Sequence, residues 1–528
     1  MRNRTSALAA ALCLIAALAA RANGPWGGQT VMQKQPELLF RPKGQPRAIP
    51  LVGVLFKVLA ETDASVRLRD PSGTEGWVEK ARLVFLADAP AHYTELIRKD
   101  AKDSWAWNMR GLAWAYNDQP DKAIADYTEA IRLSPDNASA YNNRGIAWGD
   151  KGEADKAIKD YGEVIRIDPK HAKAFNNRGV AWRAKGETDK AIDDFTESIR
   201  LDPGYALAYR NRGDARRDKG DLDKALKDLD DSIRLNPKDA GSLYSRGLAL
   251  ASKGRHDKAI RDFTDTIRLN TAHASAFNNR GLSWQAKGDL AKAIDDFTDA
   301  IRVYRKYGTA HVNRALAWRA KGDLDKAMKD LDAALALDAK SVYALASRAL
   351  VWIDKKRPED AIKDLDQAVL LSPKDAWAHY QRAAMRLVLR HKEAADGFQE
   401  VLRLQGHKGW LSRHAVVLGH LSARMGGDKR AADRILKEAD GKMGTAWPSP
   451  CFKYLQGDMG EQMLLVLADD DGKRTEARCV LGVDLALKGQ KERALSHLRW
   501  VKEKGHKGYT EFRLAVAELE RLEAAAKP

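Results

Sequence analysis

Small and apolar residues recur along most of the chain with helical spacing and with a longer period of 34 residues. When repeats are counted from residues 104, 138, 172, 206, 240, 274, 308, 342 and 376, position 8 is glycine or alanine and position 20 is alanine. Position 24 is tyrosine, phenylalanine or leucine in the first eight repeats. Because apolar residues three or four apart share one face of a helix, each repeat is predicted to form two helices that approach through their small residues.

Proline near the end of a repeat stops the second helix. Five repeats carry it at position 32, as Pro135, Pro169, Pro203, Pro237 and Pro373. Thr271, Arg305 and Ala339 stand there in three others, which changes only the local turn. The ninth repeat is predicted to be one residue short in its second helix, because Phe398 falls one place early.

This register resembles the tetratricopeptide repeat (TPR) family, and it covers residues 104–409 as nine repeats. The resemblance implies a mostly α fold, in which helical hairpins stack into a superhelix (solenoid) with a concave groove that binds peptides or proteins. The spacing returns later, with Gly482, Ala494 and Leu498 at positions 8, 20 and 24. Residues 410–528 are therefore predicted to be degenerate, TPR-like helical hairpins that cap the array.

A different pattern precedes the repeats. Residues 28–86 contain short runs rich in valine and leucine, separated by turn signals such as Asp70-Pro71-Ser72-Gly73. The "GWV" that follows this turn, with "VRLRD" before it, resembles a bacterial SH3-like (SH3b) domain, which implies a small β-barrel that binds cell-wall or protein ligands. Trp77 is predicted to fill its core, and residues 87–103 to form a linker helix.

Position 7 is arginine in all nine repeats, where members of the TPR family more commonly carry leucine. This position shares a stripe with the apolar positions 4 and 11, so its charge needs a buried partner. Position 23 is aspartate in the first eight repeats. We therefore predict one arginine–aspartate pair per repeat, joining its two helices, rather than an exposed arginine ladder for phosphates. The pairs include Arg144–Asp160, Arg178–Asp194, Arg212–Asp228 and Arg280–Asp296.

Position 6 lies on the opposite face of the first helix and holds Asn143, Asn177, Asn211, Asn279 and Asn313. A row of amides could hydrogen bond the backbone of an extended peptide. The pattern is similar to the asparagine ladder in the TPR superhelix of O-GlcNAc transferases. Local hydrogen bonding is the alternative function of these amides. Further groove candidates at positions 2 and 5 are Trp105, Asn142, Asn176, Arg210, Tyr244 and Asn278.

The beginning of the chain resembles an export signal. Arg2 and Arg4 precede an apolar run at residues 7–20, and Ala20-Arg21-Ala22 fits a small-x-small cleavage site. A signal peptide over residues 1–22 predicts export to the periplasm or cell envelope, with no stable membrane span after cleavage. An uncleaved N-terminal anchor is the alternative.

Two cysteines remain after such cleavage, Cys451 and Cys479. An oxidising compartment would allow a disulfide between them. Two free, buried thiols are the alternative, because the sequence does not show how close the two Cα atoms lie.

The formal net charge is +17, which raises the question of a nucleic-acid partner. The basic residues are scattered, and no run of five or six like charges occurs. A nucleic-acid groove would concentrate positive charge on one surface. The charge distribution therefore argues against a nucleic-acid partner.

Motifs for chemistry are missing from the sequence: there is no GxSxG, HExxH, P-loop or CxxC. Three histidines, His407, His414 and His420, lack a standard metal spacing and are predicted to be isolated on helix surfaces. The segment "ADDDG" at 468–472 is predicted to be a turn that links two helices. These features predict a non-enzymatic protein-protein interaction scaffold without metal or cofactor. The alternatives are an envelope enzyme with its site in residues 410–528, or cell-wall binding through the SH3-like domain.

Overall fold

A computed structural model describes residues 30–34, 39–42, 49–50, 55–69, 75–407, 409–507 and 509–525. The predicted signal peptide lies outside these residues. Two compact units divide the chain, residues 1–253 and residues 254–528. The described residues form seven β-strands, one 3₁₀ turn at Lys80–Arg82 and 26 α-helices. The prediction of a mostly α fold built from helical hairpins, with a small β module before them, is confirmed.

The first unit begins with an antiparallel sheet in the order β3-β2-β6-β5-β4-β1-β7. Alternate residues of its strands form a small core of valine, leucine and phenylalanine, typical of a half-buried sheet. The SH3-like identity of this sheet stays a prediction. The strands are β1 Thr30–Gln33, β2 Leu39–Pro42, β3 Ile49–Pro50, β4 Leu55–Glu61, β5 Ser65–Arg69, β6 Glu75–Glu79 and β7 Leu83–Phe85.

Trp77 does not fill this core, so the prediction for its side chain was wrong. Its neighbours Gly76 and Val78 are buried, whereas Trp77 is 42% exposed. Successive side chains of a strand point to opposite faces. Since Val78 faces the core, Trp77 has to face the other way.

Helix α1, Ala89–Lys99, joins the sheet to the first repeat. Tyr93 is fully buried, and its hydroxyl donates a hydrogen bond to the backbone oxygen of Gln33 at 2.5 Å. The same ring meets Trp105 edge to face, with centroids 5.8 Å apart. One tyrosine therefore connects the sheet to the repeats that follow it.

Helical pairs then follow in sequence to the end of this unit. Caps fix their first turns: Asn137, for example, accepts a hydrogen bond from the backbone N–H of Ala140 at 3.0 Å. The helices are α2 Ser104–Tyr116, α3 Pro120–Leu133, α4 Ala138–Asp150, α5 Ala154–Ile167, α6 Ala172–Ala184, α7 Thr188–Leu201, α8 Ala206–Asp218, α9 Leu222–Leu235 and α10 Ala240–Ser252.

The second unit continues the pairs and ends in less regular helices. Asp470, in the predicted turn at 468–472, caps α24 by accepting from the backbone N–H of Lys473 at 2.7 Å. The helices are α11 His256–Leu269, α12 Ala274–Ala286, α13 Leu290–Val303, α14 Gly308–Ala320, α15 Leu324–Leu337, α16 Val342–Asp354, α17 Pro358–Leu371, α18 Ala376–Val388, α19 Ala394–Gln405, α20 Trp410–Met425, α21 Lys429–Ala439, α22 Ser449–Gln456, α23 Glu461–Leu467, α24 Asp471–Leu487, α25 Lys491–Lys504 and α26 Thr510–Ala524.

Glycine at position 8 lets the two helices of a repeat touch. A Cβ placed on Gly179 would lie 2.7 Å from Cε1 of Phe195, the residue at position 24. In the ninth repeat the glycine lies on the second helix instead. Ala383 is at position 8, and a Cβ placed on Gly397 would lie 2.7 Å from the Cβ of Ala383. In these repeats a glycine on one of the two helices allows the close approach, whereas the repeats that start at 308 and 342 have alanine at position 8.

Arginine at position 7 donates two hydrogen bonds to aspartate at position 23 of its own repeat. The donors are Nε and Nη2, and the donor–acceptor distances run from 2.6 to 3.0 Å. The aspartates are buried and the arginines largely so. Seven repeats show the pair, as Arg110–Asp126, Arg144–Asp160, Arg178–Asp194, Arg212–Asp228, Arg280–Asp296, Arg314–Asp330 and Arg348–Asp364.

The third arginine nitrogen reaches the preceding repeat. Nη1 of Arg144 donates to the hydroxyl of Thr128 at 3.0 Å, and Nη1 of Arg348 donates to Asp332 at 2.9 Å. Threonine and aspartate here both occupy position 25. Each such arginine thus joins both helices of its own repeat to the second helix of the repeat before it.

Burial destabilises the charged form of the aspartates in these pairs, whereas the hydrogen bonds stabilise it. Burial raises the pKa of the Asp296 carboxyl above its ordinary value, despite the hydrogen bond from Arg280. Burial also acts on Asp330, but hydrogen bonds from His311 and Arg314 outweigh it and hold the pKa of that carboxyl below its ordinary value. Because desolvation offsets much of the attraction, the pairs define geometry more than they add stability.

Lysine at position 14 makes a second link between neighbouring repeats, on the surface. The aspartates it contacts, at position 18 of the preceding repeat, are almost fully exposed. Exposed pairs of this kind contribute about 0–1 kcal/mol each. They are Lys151–Asp121, Lys185–Asp155, Lys219–Asp189, Lys253–Asp223, Lys287–Asp257 and Lys355–Asp325.

Removal of one member of a buried pair should cost more than removal of both. We expect Arg178→Leu to lower the free energy of unfolding by about 3–5 kcal/mol, because it leaves the Asp194 carboxylate buried without a cation. The double variant Arg178→Leu/Asp194→Leu should recover most of this loss. Urea denaturation followed by circular dichroism measures both.

Arg382 is the matched control, since the ninth repeat has no aspartate at position 23 and Arg382 contacts the half-exposed Asp366 instead. Arg382→Leu should cost clearly less than Arg178→Leu. Equal losses in the two single variants would contradict the role of the buried pair.

Gly179→Ala should destabilise the protein by about 1–3 kcal/mol, because the new methyl group overpacks against Phe195. Gly162 lies inside α5, and an added Cβ there meets nothing within 4 Å. Gly162→Ala should therefore stabilise by about 0.5–1 kcal/mol through helix propensity. Urea denaturation measures the free energy of unfolding of both variants. A Gly179→Ala variant as stable as Gly162→Ala would refute the close-contact argument.

Candidate functional site

The asparagines at position 6 hydrogen bond to asparagines at position 5 of the preceding repeat. Asn143 donates its Nδ2 to Oδ1 of Asn108 at 3.2 Å, and Asn177 donates to Asn142 at 3.3 Å. Asn211–Asn176 and Asn313–Asn278 repeat the bond, both at 2.9 Å. Asn279 instead donates to the backbone oxygen of Ser275 at 2.8 Å. Four of these five amides thus hydrogen bond to the preceding repeat, and Asn279 bonds within its own helix.

These bonds use one donor of each position-6 amide, and the oxygen of Asn177 also accepts a hydrogen bond from Nδ2 of Asn176 at 3.2 Å. Asn143, Asn177 and Asn211 are half-buried, whereas Asn313 is buried. Asn313 also accepts a hydrogen bond from the hydroxyl of Tyr343 at 3.3 Å. Asn143 and Asn211 therefore keep more capacity for a ligand than Asn313 does, and peptide binding by the row stays a prediction.

A groove of about 810 Å³ lies against the first two repeats. Four amides line it, those of Asn108, Asn137, Asn142 and Asn143. Apolar and aromatic walls come from Trp105, Met109, Leu112, Tyr116 and Ile146. Two of the predicted groove candidates, Trp105 and Asn142, thus share one cavity with Asn143.

Large apolar surface is exposed inside this groove, since Tyr116 is 58% exposed and Ile146 is 43% exposed. Two carboxylates, Asp118 and Asp150, stand beside these side chains. Burying aromatic surface against a ligand is a main source of binding energy, and a few polar groups then fix the orientation. The groove thus combines exposed apolar surface with amide and carboxylate groups.

Asp118 occupies a backbone position that glycine holds in the following repeats. Its φ is +56°, and the equivalent turns at Gly152, Gly186 and Gly220 have φ between +77° and +89°. Aspartate tolerates this left-handed conformation better than most residues, although at a cost that glycine avoids. The first repeat therefore accepts backbone strain and places a carboxylate at the groove.

Arg210, another groove candidate, is held in an ion pair with Asp239 at 3.0 Å, and Asn176 is buried. Neither lines the groove of the first two repeats.

His414 and His420 are buried, so the prediction of isolated histidines on helix surfaces was wrong for both. His420 contacts the backbone oxygen of Ala432 through Nδ1 at 3.1 Å. His414 lies in a cluster with Glu476 and Glu511, and their ligand atoms all lie within 4.8 Å of one another. These glutamates stand on other helices, far along the chain, so the spacing of the histidines gives no sign of the cluster.

The charges of this cluster influence one another. Burial lowers the pKa of the His414 imidazole, but the hydrogen bond to Glu476 outweighs it and the pKa lies above the ordinary value. Burial and the negative charge of Glu476 raise the pKa of the Glu511 carboxyl to about 7. Glu511 therefore takes up a proton more readily than an exposed glutamate does.

Cys451 and Cys479 are free thiols, and both are buried. Burial raises the pKa of each thiol well above its ordinary value, with smaller contributions from Glu476 and Glu511. A thiol held in its neutral form is a poor nucleophile.

Among the described helices, none combines the length and the apolar character that crossing a membrane requires.

Comparison with known families supports the repeat register. Models described as tetratricopeptide repeat match residues 138–171, 172–205, 210–274 and 278–342, and a TPR repeat model matches residues 116–152. No curated protein matches the chain.

Several solved structures are similar to parts of the chain. YrrB, described as "a TPR protein with an unusual peptide-binding site", is 24% identical over 37% of this chain and 97% of its own, with a TM-score of 0.30. MamA is 29% identical over 31% of this chain and 96% of its own, with a TM-score of 0.29. PilF of Pseudomonas aeruginosa is 16% identical over 42% of this chain and 94% of its own, with a TM-score of 0.34.

The 34-residue register, the helical hairpins and the family matches within residues 116–342 converge on one assignment. Residues 116–342 of the chain therefore contain tetratricopeptide repeats.

Proposed function

We propose that this protein is a non-enzymatic scaffold of the cell envelope that holds an extended peptide segment of a partner protein in the groove of its first two repeats. TPR repeats are in general protein-protein interaction modules, and this part of the proposal rests on the family. The observation that carries the rest is the groove of about 810 Å³, in which amides, aromatic rings and carboxylates converge.

The amides suit recognition of a peptide backbone. The hydrogen bonds Asn143–Asn108 and Asn177–Asn142 hold the side chains of three groove amides in place before a ligand arrives. Preorganised groups lose less conformational entropy on binding. Their remaining N–H donors and oxygens can pair with the carbonyl and amide groups of an extended chain, whatever its side chains.

The walls select the side chains of the peptide. Tyr116 and Ile146 offer exposed apolar surface, which favours large apolar residues in the ligand. Asp118 and Asp150 add negative charge, and no described residue pairs with the Asp118 side chain. We therefore expect peptides that combine apolar residues with at least one lysine or arginine.

The predicted signal peptide at residues 1–22 supports export, and an exported scaffold would act in the periplasm or cell envelope. The exposed Trp77 supports a second binding function for the β module, with cell-wall or protein ligands. An exposed tryptophan on a sheet offers a flat apolar surface for a sugar or an aromatic side chain.

Peptides selected from a random display library on the chain without residues 1–22 test the groove. We expect Trp105→Ala to weaken their binding about 30-fold, as loss of a central aromatic contact does. Trp377→Ala is the matched control, because Trp377 is an exposed tryptophan of the second unit. Isothermal titration calorimetry measures each affinity, and equal losses in the two variants would exclude the groove as the binding site.

Asp118→Gly separates ligand binding from folding. Glycine relieves the left-handed backbone, so this variant should be at least as stable as the parent. It also removes the carboxylate, so a selected peptide with a basic residue should bind about 3- to 5-fold more weakly, as for loss of an exposed ion pair. Unchanged affinity would show that the carboxylate does not contact the peptide.

Expression of the full chain in a Gram-negative host, followed by cell fractionation and N-terminal sequencing, tests export. We expect a periplasmic protein that begins at Asn23, since cleavage is predicted after Ala22. A cytoplasmic protein that retains Met1 would contradict the proposal.

A further inference from the structure

The second unit buries one imidazole and two carboxylates against one another. His414 comes from α20, Glu476 from α24 and Glu511 from α26, and their ligand atoms all lie within 4.8 Å of one another. The side chains are almost fully enclosed, with 2% exposure for His414 and 5% for Glu511. Burial of two acidic groups beside each other is costly unless a cation compensates them.

Other buried carboxylates of this unit have such cations. Glu518 accepts two hydrogen bonds from Arg390, at 2.7 and 2.6 Å, and also pairs with Arg521. Asp484 pairs with Arg424 and with Lys488. Glu511 pairs with no lysine or arginine among the described residues. The positive charges of His414 and Arg513 offset the charge of Glu511 only in part, and its pKa stays raised.

The surroundings orient His414 and Glu476 as metal ligands. Nδ1 of His414 lies 2.8 Å from the backbone oxygen of Trp410, which fixes Nδ1 as the donor. Nε2 faces the carboxylates and donates a hydrogen bond to Glu476 at 3.1 Å, and a metal ion would take the place of this proton. The indole N–H of Trp447 donates to the same Glu476 oxygen at 2.7 Å. Outer hydrogen bonds of this kind are typical of metal-binding histidines and carboxylates.

We propose that His414, Glu476 and Glu511 bind one divalent transition-metal ion of the Zn²⁺ type, which joins helices α20, α24 and α26. One imidazole and two carboxylates suit zinc, manganese or iron(II), whereas magnesium and calcium take oxygen ligands. Bonds of about 2.0–2.2 Å would draw the ligand atoms to about 3.4 Å from one another, a shift within reach of side-chain rotation. The charge of the ion supplies the cation that Glu511 lacks.

The chain without residues 1–22 and without an affinity tag, stripped with a chelator, is titrated with Zn²⁺ alone. We expect one zinc ion per chain by mass spectrometry and calorimetry, and a rise in the melting temperature on binding. Co²⁺ in place of Zn²⁺ should give the visible absorption of a site with nitrogen and oxygen ligands. A protein that binds no zinc in stoichiometric amount would overturn the proposal, and the cluster would then only share protons.

Glu511→Gln is the decisive variant, because metal binding and folding should change in opposite directions. Glutamine keeps the volume and removes a buried charge, so the metal-free variant should melt no lower than the metal-free parent. Its zinc affinity should fall at least about 100-fold, and Trp447→Phe, which removes an outer hydrogen bond, should lower it about 10-fold.

His420→Gln is the matched control, since His420 is a buried histidine of the same helix outside the cluster. It should bind zinc as the parent does, whereas His414→Gln should not. Zinc affinity that survives Glu511→Gln, or that falls equally in His420→Gln, would overturn the assignment of these ligands.

Discussion

Burial of an arginine in repeat after repeat is the constraint on which the rest of the array depends. A guanidinium group stays protonated in a protein, so an enclosed one needs several acceptors. Asp194 takes two of the Arg178 nitrogens, at 2.8 Å each, and the ring of Phe175 lies against the guanidinium at 5.5 Å. Positions 4, 7 and 23 of a repeat are therefore fixed together, and position 25 of the preceding repeat often joins them.

This fixed geometry explains why the amides also meet. Position 6 directly precedes the arginine, so the rotation that points Arg178 at Asp194 turns Asn177 toward the preceding repeat. There it reaches Asn142, just as Asn143 reaches Asn108. The structural pair and the candidate binding surface are thus two consequences of one helix orientation. A groove lined by such amides keeps its shape without a ligand.

Much of the architecture could be predicted because it repeats. A contact such as Arg178–Asp194 has a constant separation of 16 residues, so the sequence shows it once per repeat. The partners of the asparagines have a constant separation too, 35 residues, and the same logic could have found them. The prediction that Trp77 fills the core was wrong because the face of a strand that packs on the core depends on the strand register. A short apolar run does not reveal that register. The groove could be predicted only in part. The role of Asp118 depends on its positive φ angle, which the sequence does not show.

The cluster of His414 lay beyond prediction for a physical reason. His414 lies 62 residues before Glu476 and 97 residues (511 − 414) before Glu511, in a region where the 34-residue register is no longer regular. The rule that explains the array nevertheless identifies it. In the array each buried aspartate of a pair faces an arginine, and in the second unit Asp484 and Glu518 follow the same rule. Glu511 breaks it among the described residues, and its ligand atoms lie beside an imidazole oriented by Trp410 and a carboxylate held by Trp447. A metal ion would compensate a buried acid that pairs with no lysine or arginine and lies next to two oriented ligands.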